Sequence, residues 1–230
     1  MRTVAIVQGR LASSRLPRKV LADLGGKPMI VRVLERAAAI RGVDLVVAAV
    51  PLGDWDLSMA VAEAGFLCYY GSATDVLARY ARIAVMLQAE IVVRITGDCP
   101  LLAPDVSRDV LLAFLRGDFD YVSNVGPGTD GLDTEVFTSS ALLEANATGA
   151  RDAYDREHVT PAIRRRADEL GRGAVVAVPS GGALCKLSVD TVGDLDRVRA
   201  IYDRIDTSKT GWRDWPATRA ALWNPVTAQS

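Results

Sequence analysis

This chain has few of the residues from which disulfide-bonded and zinc-bound proteins are built. It contains three cysteines in 230 residues, and no two of them are spaced as a CxxC pair. An odd number of widely separated cysteines (Cys68, Cys99 and Cys185) argues against a disulfide framework or a zinc site. The chain also has a single histidine, His158. The sequence therefore predicts a protein of a reducing compartment, the cytoplasm.

The chain also lacks long apolar runs and an excess of charge of either sign. Its apolar runs are too short to span a bilayer, and the first is interrupted at Gln8 and Arg10, too early for the core of a signal peptide. With 27 basic and 28 acidic residues the formal net charge is −1. No overall field then favours nucleic acid or an acidic membrane. We expect small-molecule partners, with neither nucleic acid nor a membrane among them.

Short apolar runs that alternate with amphipathic segments are abundant. Half of the residues are hydrophobic, and the strand-like runs at residues 4–7, 45–50 and 90–96 are each followed by a helical pattern. This alternation predicts an α/β fold, a doubly wound and mostly parallel sheet in one domain. We expect that domain to span residues 1–205.

The second half of the chain is less regular. Further strands are predicted over residues 120–124, 132–137, 174–178 and 184–189. Helices are predicted over residues 141–147 with Ser139 as the cap, 156–167, and 192–205. Residues 206–230 form a C-terminal tail with Trp212, Trp215 and Trp223, which is expected either to dock on the domain or to meet a partner.

A cationic loop follows the first predicted strand. Arg10, Arg15, Arg18 and Lys19 are spaced by small residues, with Pro17 near the end. Guanidinium groups match phosphate oxygens, and open α/β sheets bind ligands at the carboxyl ends of their strands. The glycines fit neither GxxxxGK[ST] nor GxGxxG. The loop predicts phosphate binding of another type, and a solvated basic turn is the structural alternative.

Two carboxylates are predicted at the same edge of the sheet. Asp98 follows the strand at 90–96 in a Gly-Asp-Cys-Pro turn, and Asp190 follows the strand at 184–189. Mg²⁺ takes one or two protein carboxylates and completes its shell with phosphate oxygens and water. Asp98 therefore predicts a metal site beside the basic loop. Structural alternatives are an Asx-turn residue for Asp98 and the N-cap of the next helix for Asp190.

Four ordered motifs carry a resemblance to one family. They are residues 8–21 (QGRLASSRLPRKVL), 94–101 (RITGDCPL), 156–161 (REHVTP) and 189–191 (VDT). Together they resemble the cytidylyltransferases that activate sugar acids as CMP conjugates, above all the branch of spore-coat polysaccharide biosynthesis. The CMP-Kdo and CMP-sialate synthetases are more distant relatives.

The resemblance implies a Rossmann-like nucleotidyltransferase domain of the GT-A type, with CTP as substrate and Mg²⁺ as cofactor. An acceptor oxygen would attack the α-phosphorus and pyrophosphate would leave. The resemblance also implies a homodimer. Residues 125–160 would form an acceptor-pocket and dimerisation insert, and either this insert or the tail would lie at the interface.

Carried over by position, the resemblance assigns roles to individual residues. Catalysis would depend on Arg10, Arg15, Lys19 and Asp98, and the metal would be held by Asp98 and Asp190. The implied nucleotide-binding residues are Gln8, Gly9, Arg10, Ser14, Arg15, Lys19, Gly71, Asp75, Thr96 and Gly97. The implied acceptor-binding residues are Asp130, Asp133, Glu135, Arg156 and His158. Tyr70 stands where the family has arginine, so one anion contact of the family is not matched here.

The sequence leaves the acceptor open between a sugar acid and a small phosphonate or its carboxylate, because the segment at 125–156 is short and rich in glycine. Two other classes of function remain open. One is a metal-dependent glycosyltransferase, which usually has Asp-x-Asp where this chain has Gly97-Asp98-Cys99. The other is a non-catalytic nucleotide-binding protein. Pyrophosphate release from CTP distinguishes these classes.

Overall fold

The computed structural model describes residues 1–126, 130–177 and 186–223. Within these ranges the strands are β1 (Thr3–Gln8), β2 (Leu45–Pro51), β3 (Leu67–Gly71), β4 (Ile91–Thr96), β5 (Tyr121–Ser123), β6 (Glu135–Thr138) and β7 (Gly173–Val175). The α-helices are α1 (Met29–Ala37), α2 (Trp55–Glu63), α3 (Val76–Met86), α4 (Pro104–Arg116), α5 (Ser139–Glu144), α6 (Ala153–His158), α7 (Pro161–Glu169), α8 (Val192–Tyr202) and α9 (Trp215–Trp223). None of these helices is long and apolar enough to cross a membrane.

The strands form one sheet in the order β3-β2-β1-β4-β6-β5-β7. The pairs β1–β2, β1–β4, β2–β3 and β5–β7 are parallel, and only β6 runs antiparallel to its neighbours β4 and β5. The prediction of a doubly wound, mostly parallel sheet is confirmed. Because β1 lies between β2 and β4, the loop that follows it opens at the centre of the carboxyl edge.

The apolar runs pack on both faces of the sheet. In β1, Ala5 and Val7 face a core that includes side chains of α1, α2 and α4, whereas Val4 and Ile6 face one that includes α3, α5 and α7. All four are fully buried, as expected of a strand covered on both sides.

The tail docks on the domain. Trp212 and Trp215 are 8% and 7% exposed, and they pack with Leu187, Val189 and side chains of α8. The buried Arg36 of α1 lies over the ring of Trp212. The side chain of Trp223 lies outside the described part of the chain.

The structure corrects several local predictions. Instead of one helix over 156–167, α6 and α7 are separated at Val159, which has a φ of 70°, and Pro161 opens α7 because proline cannot continue a preceding helix. Thr138, not Ser139, caps α5, since its Oγ1 accepts from the backbone N–H of Ala141 at 3.1 Å. A π-helical turn over Ala145–Gly149 follows α5.

The predicted strand over 184–189 is also wrong where it can be examined. Residues 186–189 have no strand structure, and residues 184–185 lie outside the described ranges. The backbone N–H of Leu187 donates to Asp130 O at 2.7 Å and that of Val189 to Asp98 O at 2.8 Å. These bonds go to two separate turns, so the segment crosses the carboxyl edge without joining the sheet.

Candidate active site

A cleft of about 350 Å³ opens at the carboxyl edge, where the basic loop follows β1. Its walls come from that loop, the first turns of α3, the turn after β4 and the segment before α8. It brings together most of the residues predicted to bind nucleotide or metal: Gln8, Gly9, Arg10, Ser14, Arg15, Lys19, Thr96, Gly97, Asp98 and Asp190, with His158 at one side.

Lys19 lies at the centre of the charged end of this cleft. Its Nζ donates to Asp98 Oδ2 at 2.9 Å, to Asp190 Oδ1 at 3.0 Å and to Val189 O at 2.7 Å. The Lys19 side chain is only 11% exposed. Two carboxylates from distant parts of the chain therefore converge on one point that accommodates positive charge.

The turn after β4 brings Asp98 to this point. The backbone N–H of Gly97 donates to Gln8 O at 2.8 Å, and a Cβ at residue 97 would lie 2.8 Å from the same oxygen. Only glycine allows this close approach of the two strand ends. Within the described residues the Asp98 carboxylate accepts from the side chains of Lys19 and Cys99.

Asp190 does not cap α8. Thr191 is the N-cap: its Oγ1 accepts from the backbone N–H of Asp194 at 3.2 Å, and the Asp194 carboxylate accepts in return from Thr191. Asp190 is thus left to face Lys19, Arg15 at 2.8 Å and Lys186 at 2.8 Å.

The charges around Asp190 keep its carboxylate ionised. Burial alone would raise the pKa of Asp190, but the hydrogen bonds from Lys186 and Lys19 outweigh it and hold the pKa below the usual range. An ionised carboxylate is the form that binds a cation.

Two arginines of the basic loop, Arg10 and Arg15, lie around the mouth of the cleft. Arg10 pairs with Glu157 at 3.0 Å, and the Arg10 side chain is 55% exposed. Arg18 points away and pairs with Asp56 at 2.7 Å. Exposed ion pairs of this kind contribute little, so Arg10 and Arg15 are available to an anion. Sequence reasoning assigned no role to Asp54, whose carboxylate accepts from the backbone N–H of Leu11 at 2.7 Å and so orders the loop.

A second cavity of about 230 Å³ adjoins the cleft and shares Thr96 and His158 with it. It contains three of the predicted acceptor-binding residues, Asp133, Glu135 and His158. Arg94 and the hydroxyl of Tyr121 both donate to Glu135, and the His158 ring lies 4.2 Å from that of Tyr154. Burial raises the pKa of Asp133.

Four other predicted site residues line neither cavity. Asp130 accepts from Ser188 Oγ at 2.9 Å and supports the segment at 186–189. Arg156 donates to Asn146 Oδ1 at 2.9 Å and lies 3.5 Å from Asp75. Asp75 is the N-cap of α3, and Gly71 is the last residue of β3. Their contacts with a ligand stay predictions.

Sequence reasoning missed Arg79, which lies in α3, lines the cleft and is 3% exposed. It follows Val76 by three residues and precedes Ile83 by four, so the arginine stands in the apolar face of the helix. That position is the one local signal that could have identified it. Arg94 and Arg164 of the second cavity were missed as well.

One protein family matches most of the chain. The family model described as cytidylyltransferase matches residues 4–197. An uncharacterised protein of Methanocaldococcus jannaschii is 34% identical over 165 residues, which are 71% of this chain and 67% of that protein. The spore coat polysaccharide biosynthesis protein SpsF of Bacillus subtilis is 29% identical over 209 residues, 86% of this chain and 85% of SpsF.

Solved structures show the same fold. A cytidylyltransferase from Leptospira borgpetersenii superposes with a TM-score of 0.85 at 23% identity, over the whole of both chains. A CMP-2-keto-3-deoxy-manno-octonic acid synthetase solved with CTP gives 0.68 at 20% identity, over 88% of this chain and 99% of that one. The Rv0371c protein of Mycobacterium tuberculosis, solved with manganese, gives 0.60 at 16% identity, over 86% and 98%. These likenesses show a Rossmann-like nucleotidyltransferase fold.

Proposed function

Since this chain belongs to the cytidylyltransferase family, we propose that it transfers CMP from CTP to a small acidic acceptor and releases pyrophosphate, with Mg²⁺ as cofactor. The observation that carries the proposal is the convergence of Asp98 and Asp190 on Lys19 Nζ, beside the arginines of the basic loop. Nucleotidyl transfer depends on positioning and on charge neutralisation. This cleft contains carboxylates that can hold a metal ion and cationic side chains that can neutralise phosphate charge.

The two carboxylates fit a divalent metal ion, because the ammonium of Lys19 already lies where they meet. Among the described residues no group of three or more His, Cys, Asp or Glu could hold a metal. A site with two carboxylates suits Mg²⁺, which fills its remaining positions with phosphate oxygens and water. Asp98 and Asp190 would hold the ion, which would neutralise charge at the phosphates. The manganese bound by the M. tuberculosis neighbour supports a divalent cation.

The protein's own cations would hold the triphosphate. Arg10 and Arg15 flank the mouth of the cleft, and their ion pairs with Glu157 and Asp190 are partly exposed, so an anion of higher charge can displace these pairs. Lys19 would contact phosphate oxygens once the metal neutralises the two carboxylates. Guanidinium and ammonium groups at this position would stabilise the negative charge that develops on pyrophosphate as it leaves.

The second cavity would bind the acceptor, since it shares Thr96 and His158 with the cleft. Arg94 neutralises Glu135, which leaves Arg164 and His158 as donors to an acidic group. The similarity to SpsF supports a sugar acid, and a small phosphonate or its carboxylate is the other acceptor that we propose to test.

The experiment is pyrophosphate release from CTP and Mg²⁺ with a panel of sugar acids and small phosphonates. Wild type is compared with Asp98→Asn and with Asp118→Asn, whose side chain is 89% exposed. We expect release with one acceptor class, a decrease of at least about a hundredfold in Asp98→Asn, and no change in Asp118→Asn. Equal rates in wild type and Asp98→Asn, or no release with any acceptor, would contradict the proposal.

A further inference from the structure

A buried arginine lines the cleft without the hydrogen bonds that its burial requires. Arg79 is 3% exposed, and its Nε and Nη1 have no partner among the described residues. The equally buried Arg36 donates from both of the corresponding nitrogens, and only its Nη2 has no partner among the described residues. Unpaired buried donors lose their water without compensation, so native proteins contain few of them. The nitrogens of Arg79 therefore indicate a ligand.

Arg79 lies on the side of the cleft away from the metal-binding turn. Its side chain crosses the end of β3, where a Cβ at residue 71 would lie 2.8 Å from Arg79 Cγ. Gly71 is therefore required for this position of the arginine. In the sheet, β3 lies on one side of β1 and β4, which carries Asp98, lies on the other.

The other parts of the cleft have an occupant under the proposed function, on which this inference rests. Lys19, Asp98 and Asp190 take the metal and the phosphates. The second cavity, proposed for the acceptor, lies on the β4 side of β1, because it includes Glu135 of β6, the strand next to β4. The nucleoside then extends towards β3, where Gln8, Val76 and Arg79 line the wall.

We propose that Arg79 binds the cytosine ring of CTP and selects it over uracil. Cytosine presents two acceptors side by side, the carbonyl O2 and the ring N3, whereas uracil has an N–H at N3. A guanidinium group has several N–H donors and no acceptor. It therefore pairs with O2 and N3 of cytosine and faces a second donor in uracil. Binding of the base gives the buried guanidinium the acceptors that the described residues do not supply.

The test is calorimetric titration of CTP, UTP and inorganic tripolyphosphate in the presence of Mg²⁺. Arg79→Met removes the donors at similar length, and Arg79→Lys keeps the charge without the guanidinium fork. Arg82→Met is the matched control, because Arg82 is an exposed residue of the same helix. Arg79→Met should weaken CTP binding about ten- to a hundredfold, leave tripolyphosphate binding unchanged and make the CTP and UTP affinities similar. The CTP affinity of Arg79→Lys should lie between those of wild type and Arg79→Met, and the CTP affinity of Arg82→Met should equal that of wild type.

Thermal unfolding without ligand gives an independent readout. Because Arg79→Met removes an unpaired buried charge, its Tm should be equal to or above that of wild type. A purely structural arginine would instead lower the Tm when it is replaced, so an unchanged Tm together with weaker CTP binding indicates a role in binding. Unchanged CTP binding, or an equal loss for tripolyphosphate, would overturn the assignment. If Arg79→Met does not fold, Arg79→Lys decides by the same comparison. A wild-type protein that binds CTP no more tightly than tripolyphosphate would instead overturn the proposed function.

Discussion

At the scale of single residues, two neighbours at the start of α8 have separate roles. Thr191 caps the helix and Asp190 faces Lys19. We expect Asp190→Asn to lower kcat about a hundredfold or more, because one of the two carboxylates proposed to bind the cation is lost. Thr191→Ala should cost about 1 kcal/mol of unfolding free energy and keep most of the activity. Urea unfolding and pyrophosphate release measure the two effects, and equal loss of activity in both variants would contradict this division.

Asp133, which lines the second cavity, illustrates how a buried carboxylate reduces stability. Burial raises its pKa, so the folded protein disfavours the ionised form. The resulting loss of stability is absent when the pH is below the pKa of the unfolded state, about 3.9. It is fully present once the pH exceeds the raised pKa of Asp133 in the folded state. Asp133→Asn should therefore raise the Tm at pH 7 and raise it much less at pH 4. Asp118→Asn is the exposed control, and a Tm gain that does not depend on pH would contradict this explanation.

The same residues show which parts of a site a sequence can reveal. Asp98 directly follows the turn residue after β4, and Lys19 lies in the basic loop between β1 and α1, so their place at the carboxyl edge follows from the order of strands and loops in the sequence. Asp190 was predicted at the same edge, although the strand expected before it is wrong. The role of Arg79 depends on how α3 packs against the end of β3, and that of Arg156 on Asn146, ten residues earlier in the chain. Contacts of this kind are tertiary, and the only local sign of them is the position of Arg79 in the apolar face of α3.

At the scale of elements, the alternating pattern predicts the parallel half of the sheet, because β1 and β2 contain continuous apolar runs and the run in β4 is interrupted only by Arg94. The antiparallel insertion of β6 between β4 and β5 could not be predicted, since pairing partners depend on distant residues. The break between α6 and α7 was predictable in principle, because Pro161 disfavours helix in the residue before it.

The C-terminal elements support the turn that carries Asp98. The hydroxyl of Tyr202, the last residue of α8, donates to Pro100 O at 2.7 Å and accepts from Arg36 Nε at 3.2 Å. Tyr202→Phe leaves both partners unpaired, so we expect a loss of about 1–3 kcal/mol in unfolding free energy. The less constrained turn should also lower kcat severalfold with little change in the KM for CTP.

The control for that prediction is Tyr69→Phe, a half-buried tyrosine of β3 that is distant from the turn in the sheet order. Chemical denaturation and steady-state kinetics measure the two expected effects. Full activity in Tyr202→Phe despite lower stability would show that α8 supports the fold and not the turn.

At the scale of the whole molecule, the site is assembled from segments far apart in the chain. The bonds from Lys19 to Asp98 and Asp190 span 79 and 171 residues. The proposed cation site therefore exists only in the folded protein, and any ligand that binds there stabilises the fold as a whole. The homodimer stays a prediction, and sedimentation equilibrium would test it.

This coupling predicts how the Tm responds to ligands. A ligand at a hundred times its Kd stabilises the folded state by about 2.7 kcal/mol, which for a domain of this size corresponds to a rise in Tm of roughly 5–10 °C. We expect CTP with Mg²⁺ to give such a rise, and CTP with EDTA to give much less, because the two carboxylates then repel the triphosphate. Asp98→Asn should lose the part that depends on Mg²⁺, while Asp118→Asn keeps it. An equal rise with and without the metal would mean that Asp98 and Asp190 do not bind a cation together with the nucleotide.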